Sequence, residues 1–255
     1  MATFTWSGPY GFDLRDLDLS GLAYAYGYTR TSTVFAARYD AKGSFRDEFR
    51  GTRFAYDRDG VPISGTVKSY AAIASGKKIG SIDGINISAT SLVAAAMTSS
   101  TADDLKIFKS AFAGHDRLTG GAYADKLEGF GGNDILYGKA GADKLYGGAG
   151  ADTFVFNSTG DSTVSASGRD TIFDFTPSQK DRIDLHMIDA NKKVAGNQAF
   201  TFIGSQSFHK KAGELRYEKY ATGVLVGGDV DGDGRADFSI YVKGLSTLSK
   251  AYFIL

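Results

Sequence analysis

Seven aspartates stand nine residues apart: Asp116, Asp125, Asp134, Asp143, Asp152, Asp161 and Asp170. Written in nines, residues 111 to 155 read AFAGHDRLT, GGAYADKLE, GFGGNDILY, GKAGADKLY and GGAGADTFV. The first five aspartates are thus each followed, two residues on, by an apolar residue: Leu118, Leu127, Leu136, Leu145 and Phe154. Gly114, Gly132, Gly141 and Gly150 sit two residues before their aspartates, and Gly120, Gly129, Gly138 and Gly147 open their units. The Asp161 unit has Thr163 where the apolar residue belongs, and GRDTIF around Asp170 restores the pattern. Five units in one phase, with the apolar residue always in step, set this run apart from the isolated Asp-Gly turns of ordinary β-proteins.

A short strand such as Lys144-Leu145-Tyr146 points its middle side chain inward, and the turn GGAGAD must bend with little side-chain bulk, which glycine permits. Two units close one turn of such a coil, so aspartates eighteen residues apart stack: Asp116 with Asp134, Asp134 with Asp152, Asp152 with Asp170, Asp125 with Asp143, and Asp143 with Asp161. Bare carboxylates in columns repel. A hard cation taking several oxygen ligands in a flexible geometry resolves the repulsion, using the carboxylates and the carbonyls of the glycine turns. Calcium meets that description better than magnesium, which holds to a strict octahedron with few protein ligands. Transition metals lack nitrogen and sulfur partners in these turns. The expectation is several calcium ions.

Further acidic positions are less specific. DVDGDGRAD places Asp229, Asp231, Asp233 and Asp237 like positions one, three, five and nine of an EF-hand loop, but Ile240 occupies position twelve, where a glutamate belongs. It reads equally as a weak calcium site or an acidic hairpin turn. Asp174, Asp181 and Asp184 read as turn and strand-end residues. Catalytic signatures are missing: His115, His186 and His209 form no HExxH pair, and FIGSQS lacks the second glycine of GxSxG.

The elements around the repeat complete the picture. From Thr3 to about Gly84, apolar and aromatic runs broken at YDAKG (39 to 43), YDRDG (56 to 60) and ASGKK (74 to 78) predict strands and hairpins. In LAYAYGYTR, Tyr24, Tyr26 and Tyr28 would share one face of a strand. Helices are expected at about 88 to 98 and 102 to 112, the second opened by a capping box of Thr101 and Asp104. Beyond residue 156 alternation returns in TIFDF, RIDL, GVLVGG and FSIYV. The fold class is therefore mainly β, with a β-rich N-terminal module over 1 to 112, the repeat over 113 to 175 and a β-rich cap over 176 to 255.

Lys+Arg 29 against Asp+Glu 29 gives a formal charge of +0, which argues against a nucleic-acid partner held by a basic face. Cys 0 excludes disulfides and thiolate sites. No run suits a transmembrane segment, and MATFTWSGPYGFD is not a conventional secretory signal. Gly 33 beside Pro 3 points to glycine with a positional task in the turns and not to flexible linkers.

The repeat resembles the glycine-rich nonapeptide repeat of RTX proteins. With GADTFVFNSTGDS, RDTIFDF, DRIDL, AGELRYEKY and DVDGDGRADFSIYVKG in order, residues 113 to 255 resemble the C-terminal domain of serralysin metalloproteases, without the protease. The resemblance implies a parallel β-roll with calcium between its loops and a β-sandwich-like C-terminal cap. It also implies an extracellular location reached through type I secretion machinery by an uncleaved C-terminal signal. The family's ending, an acidic residue before apolar ones, is replaced here by Lys250 ahead of AYFIL. The functional expectation is a secreted, non-enzymatic calcium-binding protein that folds on calcium outside the cell, surface-associated or free. Its N-terminal module would recognise a surface polysaccharide or a partner protein. An enzyme of unrecognised type carried by the export domain, or a structural matrix protein, is the alternative.

Overall fold

Turn residues divide the first 88 positions into strands long enough to cover one another. The computed structural model describes residues 1–255. They fold as two units: Met1–Gly8 with Asp13–Arg117, and Pro9–Phe12 with Leu118–Leu255.

The first unit contains β1 (Thr3–Trp6), β2 (Gly27–Arg30), β3 (Val34–Arg38), β4 (Arg46–Tyr56), β5 (Pro62–Ala74) and β6 (Lys77–Ser88), followed by α1 (Ala89–Ala96) and α2 (Thr101–Ala111). The strands pair antiparallel in the order β1-β6-β5-β4-β3-β2. YDAKG, YDRDG and ASGKK stand at the three hairpin turns joining β3 to β6. Phe4, Phe49, Val67, Ile82, Leu92 and Phe108 are buried in its core.

Two local expectations are corrected. The cap of α2 is Ser100, whose Oγ accepts from Ala102 N at 3.3 Å; Asp104 instead accepts from Leu19 N at 3.1 Å, so the capping box of Thr101 and Asp104 does not form. The tyrosine row does not form either. Tyr24 ends a 3-10 turn (Leu19–Tyr24) and Tyr26 precedes β2, both exposed, whereas Tyr28 stacks on Phe35 and its hydroxyl donates to the Leu22 carbonyl at 2.7 Å. The 3-10 turn breaks the alternation that a shared face would need.

The repeat yields three-residue strands: β7 (Arg117–Thr119), β8 (Lys126–Glu128), β9 (Ile135–Tyr137), β10 (Lys144–Tyr146) and β11 (Thr153–Val155). They continue as β12 (Thr171–Ile172) and β13 (Arg182–Asp184). β8, β10 and β12 pair parallel in one sheet, and β9, β11 and β13 in the other. The middle side chains Leu127, Leu145 and Ile172, and opposite them Leu136, Phe154 and Ile183, are completely buried. This is a parallel β-roll.

The coil does not stop near residue 175, because β13 stacks on β11 in unbroken register, Phe154 facing Ile183. The remaining strands grow from the same two sheets. They are β14 (Thr201–Phe202), β15 (Glu214–Tyr220), β16 (Gly223–Asp229), β17 (Phe238–Lys243) and β18 (Phe253–Ile254). β17 pairs parallel with β12 and carries the β15–β16 hairpin antiparallel beside it, while β18 pairs parallel with β13. Phe202 and Phe253, 5.3 Å apart, join the two layers.

Candidate metal centre

Asp143, Asp152, Asp170 and Asp181 each use Oδ1 to tie their turn to the turn before it. Oδ1 of Asp143 accepts from Asp125 N at 2.7 Å, and Oδ1 of Asp152 accepts from Asp134 N at 2.9 Å. The backbone returns the bond: Lys144 N donates to the Asp125 carbonyl and Thr153 N to that of Asp134, each at 2.8 Å. The stacks Asp125–Asp143 and Asp134–Asp152 therefore exist as the eighteen-residue spacing requires.

The next step departs from that spacing. Asp143 N donates to Asp170 Oδ1 and Asp152 N to Asp181 Oδ1, both at 2.9 Å. Asp161 does not stack on Asp143, and Asp170 does not stack on Asp152. The cause is the longer excursion of residues 157 to 169, in which Asp161 Oδ2 accepts from Asn157 N and Ser158 N. Asp161 still lies close enough to push on both Asp143 and Asp170. At the other end of the coil, Asp125 Oδ1 accepts from Phe12 N at 2.6 Å and Lys126 N donates to the Phe12 carbonyl at 2.6 Å. Phe12 thus supplies the backbone that a preceding repeat would have supplied. Asp116, in the first unit, takes the amide of Ala2 in the same manner.

The second oxygens point to a ligand. Asp143, Asp152 and Asp170 are at most 1% exposed, and the Oδ2 atom of each has no hydrogen-bond partner. Solvent-free carboxylate oxygens without donors are costly. Burial first, and neighbouring aspartates second, push Asp143 up to about 7 and Asp152 up to about 6. Asp170 rises to about 9, again by burial and then by Asp143. Asp125 and Asp181 are also raised, burial being the main cause.

The turns fit closely around these oxygens. A Cβ on Gly138 would lie 2.1 Å from Asp143 Oδ2, and one on Gly147 would lie 2.2 Å from Asp152 Oδ2. Gly132, Gly141 and Gly150 have φ of 119°, 138° and 130°, a region that side chains oppose. Gly114 has open space and no such φ, so it does not repeat their role. The buried oxygens left without donors are carboxylate oxygens, the hard ligand type that suits calcium.

Two residues read as ordinary turn positions prove to belong to the columns. Asp181 follows Asp152 as the last rung, and its signal was present in DRID, the same Asp-x-apolar triplet as Asp170. Asp174 accepts from Gly147 N at 3.0 Å and from Gly148 N at 2.9 Å, and Gln179 accepts from Gly150 N at 2.8 Å, so together they close the last turn. Asp184 instead holds His186, Oδ1 to Nδ1 at 2.6 Å. In the hairpin between β16 and β17, carboxylate oxygens of Asp229, Asp231 and Asp237 lie within 4.8 Å of one another. Both Asp229 oxygens accept backbone donors there, from Gly232 N and Gly234 N.

The family described as peptidase M10 serralysin C terminal matches residues 73–255. The solution structure of the AlgE6R3 subunit of the Azotobacter vinelandii mannuronan C5-epimerase is similar at 31% identity, over 56% of this chain and 74% of that one, with a TM-score of 0.39. The AlgE6R2 subunit of the same enzyme is similar at 32% identity, over 55% of this chain and 80% of that one, also with a TM-score of 0.39. Comparison with curated protein sequences found no match. No helix is long and apolar enough to cross a membrane.

Proposed function

Because the chain belongs to the peptidase M10 serralysin C-terminal family, we propose that it is a secreted, non-enzymatic calcium-binding protein of the RTX type whose roll folds on calcium outside the cell. The observation that carries the reading is the set of buried, unpartnered Oδ2 atoms on Asp143, Asp152 and Asp170. Asp116, Asp125, Asp134 and Asp161 extend the acidic set, Asp181 joins it, and the turns of Gly132, Gly141 and Gly150 would offer carbonyl oxygens. Bound calcium supplies positive charge where stacked carboxylates otherwise repel. The protein's own part at Asp143, Asp152 and Asp170 is to hold Oδ1 in a backbone hydrogen bond, so that Oδ2 stays oriented and dry.

A cytosol poor in calcium would leave these columns repelling and the chain loose enough for type I export; the medium outside would fill them. Binding then stabilises the folded state by mass action. The arrangement of the C-terminus supports this reading. Phe253–Ile254 forms β18, and the Ile254 carbonyl accepts from Leu185 N at 2.9 Å, so a signal at this end is tied down only once the coil has formed. The N-terminal unit would act as the recognition or adhesion module, for a surface polysaccharide or a partner protein.

The test is calorimetric titration of the calcium-stripped full chain, with circular dichroism followed in parallel. Several ions per chain and a gain of β-structure are expected, with Asp143→Ala reducing the stoichiometry. No heat and an unchanged spectrum would sink the reading.

A further inference from the structure

In the first unit, a cavity of about 200 Å³ lies between the sheet and α1. An apolar cavity of about 150 Å³ admits benzene, so this one has room for a ring with a short alkyl stem. Phe49, Phe54 and Val67 of the sheet and Leu92 and Ala96 of α1, all buried, form its walls. The mouth is different in character: Arg30, Asp59 and Met97 line it, and Met97 is 65% exposed. Met97 is the kind of flexible side chain that adjusts to a ligand's outline.

Arg30 is held in place for a single task. Its Nε donates to the Gly60 carbonyl at 2.7 Å, and its guanidinium carbon stands 4.5 Å from the centre of the Tyr28 ring. That fixes the plane of the guanidinium and leaves both terminal nitrogens without a protein partner. Asp59, although it shares the mouth, forms no ion pair with Arg30, and its backbone N donates to Asp57 Oδ1 at 3.0 Å. A planar fork of free donors above an apolar chamber suits a carboxylate attached to an apolar body.

We propose that the N-terminal unit binds a small amphipathic monocarboxylate, its apolar body seated among Phe49, Val67 and Leu92 and its carboxylate on Arg30. The proposal is independent of the calcium reading, since every lining residue falls between positions 22 and 97.

The probes are 4-phenylbutyrate, octanoate and the neutral 4-phenyl-1-butanol, titrated into the calcium-loaded full chain by calorimetry and saturation-transfer NMR. Expected is saturable binding of one carboxylate per chain, the acid exceeding the alcohol about tenfold, an advantage that Arg30→Gln removes. Tighter binding of 4-phenylbutyrate than of octanoate would assign an aromatic body, and the reverse an aliphatic one. Met97→Trp should obstruct the mouth from an exposed position, and Ala96→Phe should fill the chamber from within; either should abolish binding, with retained hydrogen-exchange protection of β4 to β6 confirming that the unit is folded. No saturable binding to the wild-type chain, or binding indifferent to both Arg30→Gln and Met97→Trp, would overturn the proposal.

Discussion

The N-terminal unit and the coil bury apolar side chains equally well but surround them differently. In the first, strands of up to thirteen residues and a packed helix cover Phe49 and Val67. In the second, each three-residue strand contributes one wholly buried side chain, and the layer beside it consists of carboxylates that are just as buried. An apolar core is complete once it has formed. A column of buried aspartates is incomplete until something neutralises it.

Calcium removal should therefore separate the two regions, and this is the largest effect expected. In hydrogen exchange on the full chain with excess chelator, amides of β8 to β13 should lose their protection entirely while β4 to β6 keep theirs. Protection that persists in the coil without calcium, or that vanishes from both regions together, would break the comparison.

Next in size is Gly150→Ala. The new Cβ would lie 1.8 Å from the Gly132 carbonyl oxygen, in a turn with φ of 130°. Relief requires the turns 129 to 134 and 147 to 152 to part, which would sever Gly132 N to Ala149 O and Ala149 N to Phe130 O. A loss of about 3 kcal/mol or more is expected from strain and overpacking together. Urea titration in calcium, followed by circular dichroism for the coil and by Trp6 fluorescence for the first unit, should show the loss in the former signal alone.

The third effect is one of pH and concerns the calcium-free coil. Asp152, Asp143 and Asp170 are raised to about 6, about 7 and about 9 when folded, from an ordinary value of 3.8, so folding takes up protons. Their contribution is complete below the unfolded value and is lost as pH rises through the folded ones. Calcium-stripped protein should hold more β-structure at pH 5 than at pH 8, and calcium affinity should rise over the same window as protons are displaced. A calcium-free spectrum that improves toward pH 8 would reverse the sign and count against buried columns.

Much of the coil was legible because its period is physical: one strand, one turn and one carboxylate repeat together, so Asp125–Asp143 and Asp134–Asp152 could be paired by counting. The pairing failed at Asp161, because a thirteen-residue excursion (157 to 169) resets the count without changing the residue types on either side. Asp181 is recognisable from its triplet only when the period is allowed to stretch. The role of Phe12 was invisible, since it acts through backbone N–H and C=O, which every residue but proline carries. The pocket was equally hidden: alternation shows that Phe49 and Val67 face inward, but not that α1 stands far enough away to leave a chamber.

The smallest effect expected tests glycine itself across the two regions. Gly76, in the turn between β5 and β6, has φ of 73° like many turn glycines, yet a Cβ built there meets nothing within 4 Å. Gly76→Ala should therefore cost only the left-handed conformation of an L-residue, about 1 kcal/mol, partly offset by the reduced freedom of the unfolded chain. Trp6 is the chain's single tryptophan and lies in the first unit, so its fluorescence in urea reads this cost directly. A Gly76→Ala loss as large as that of Gly150→Ala would mean that turn conformation alone governs both regions. A loss several times smaller would assign the excess at Gly150 to the close stacking of turns that the aspartate columns require.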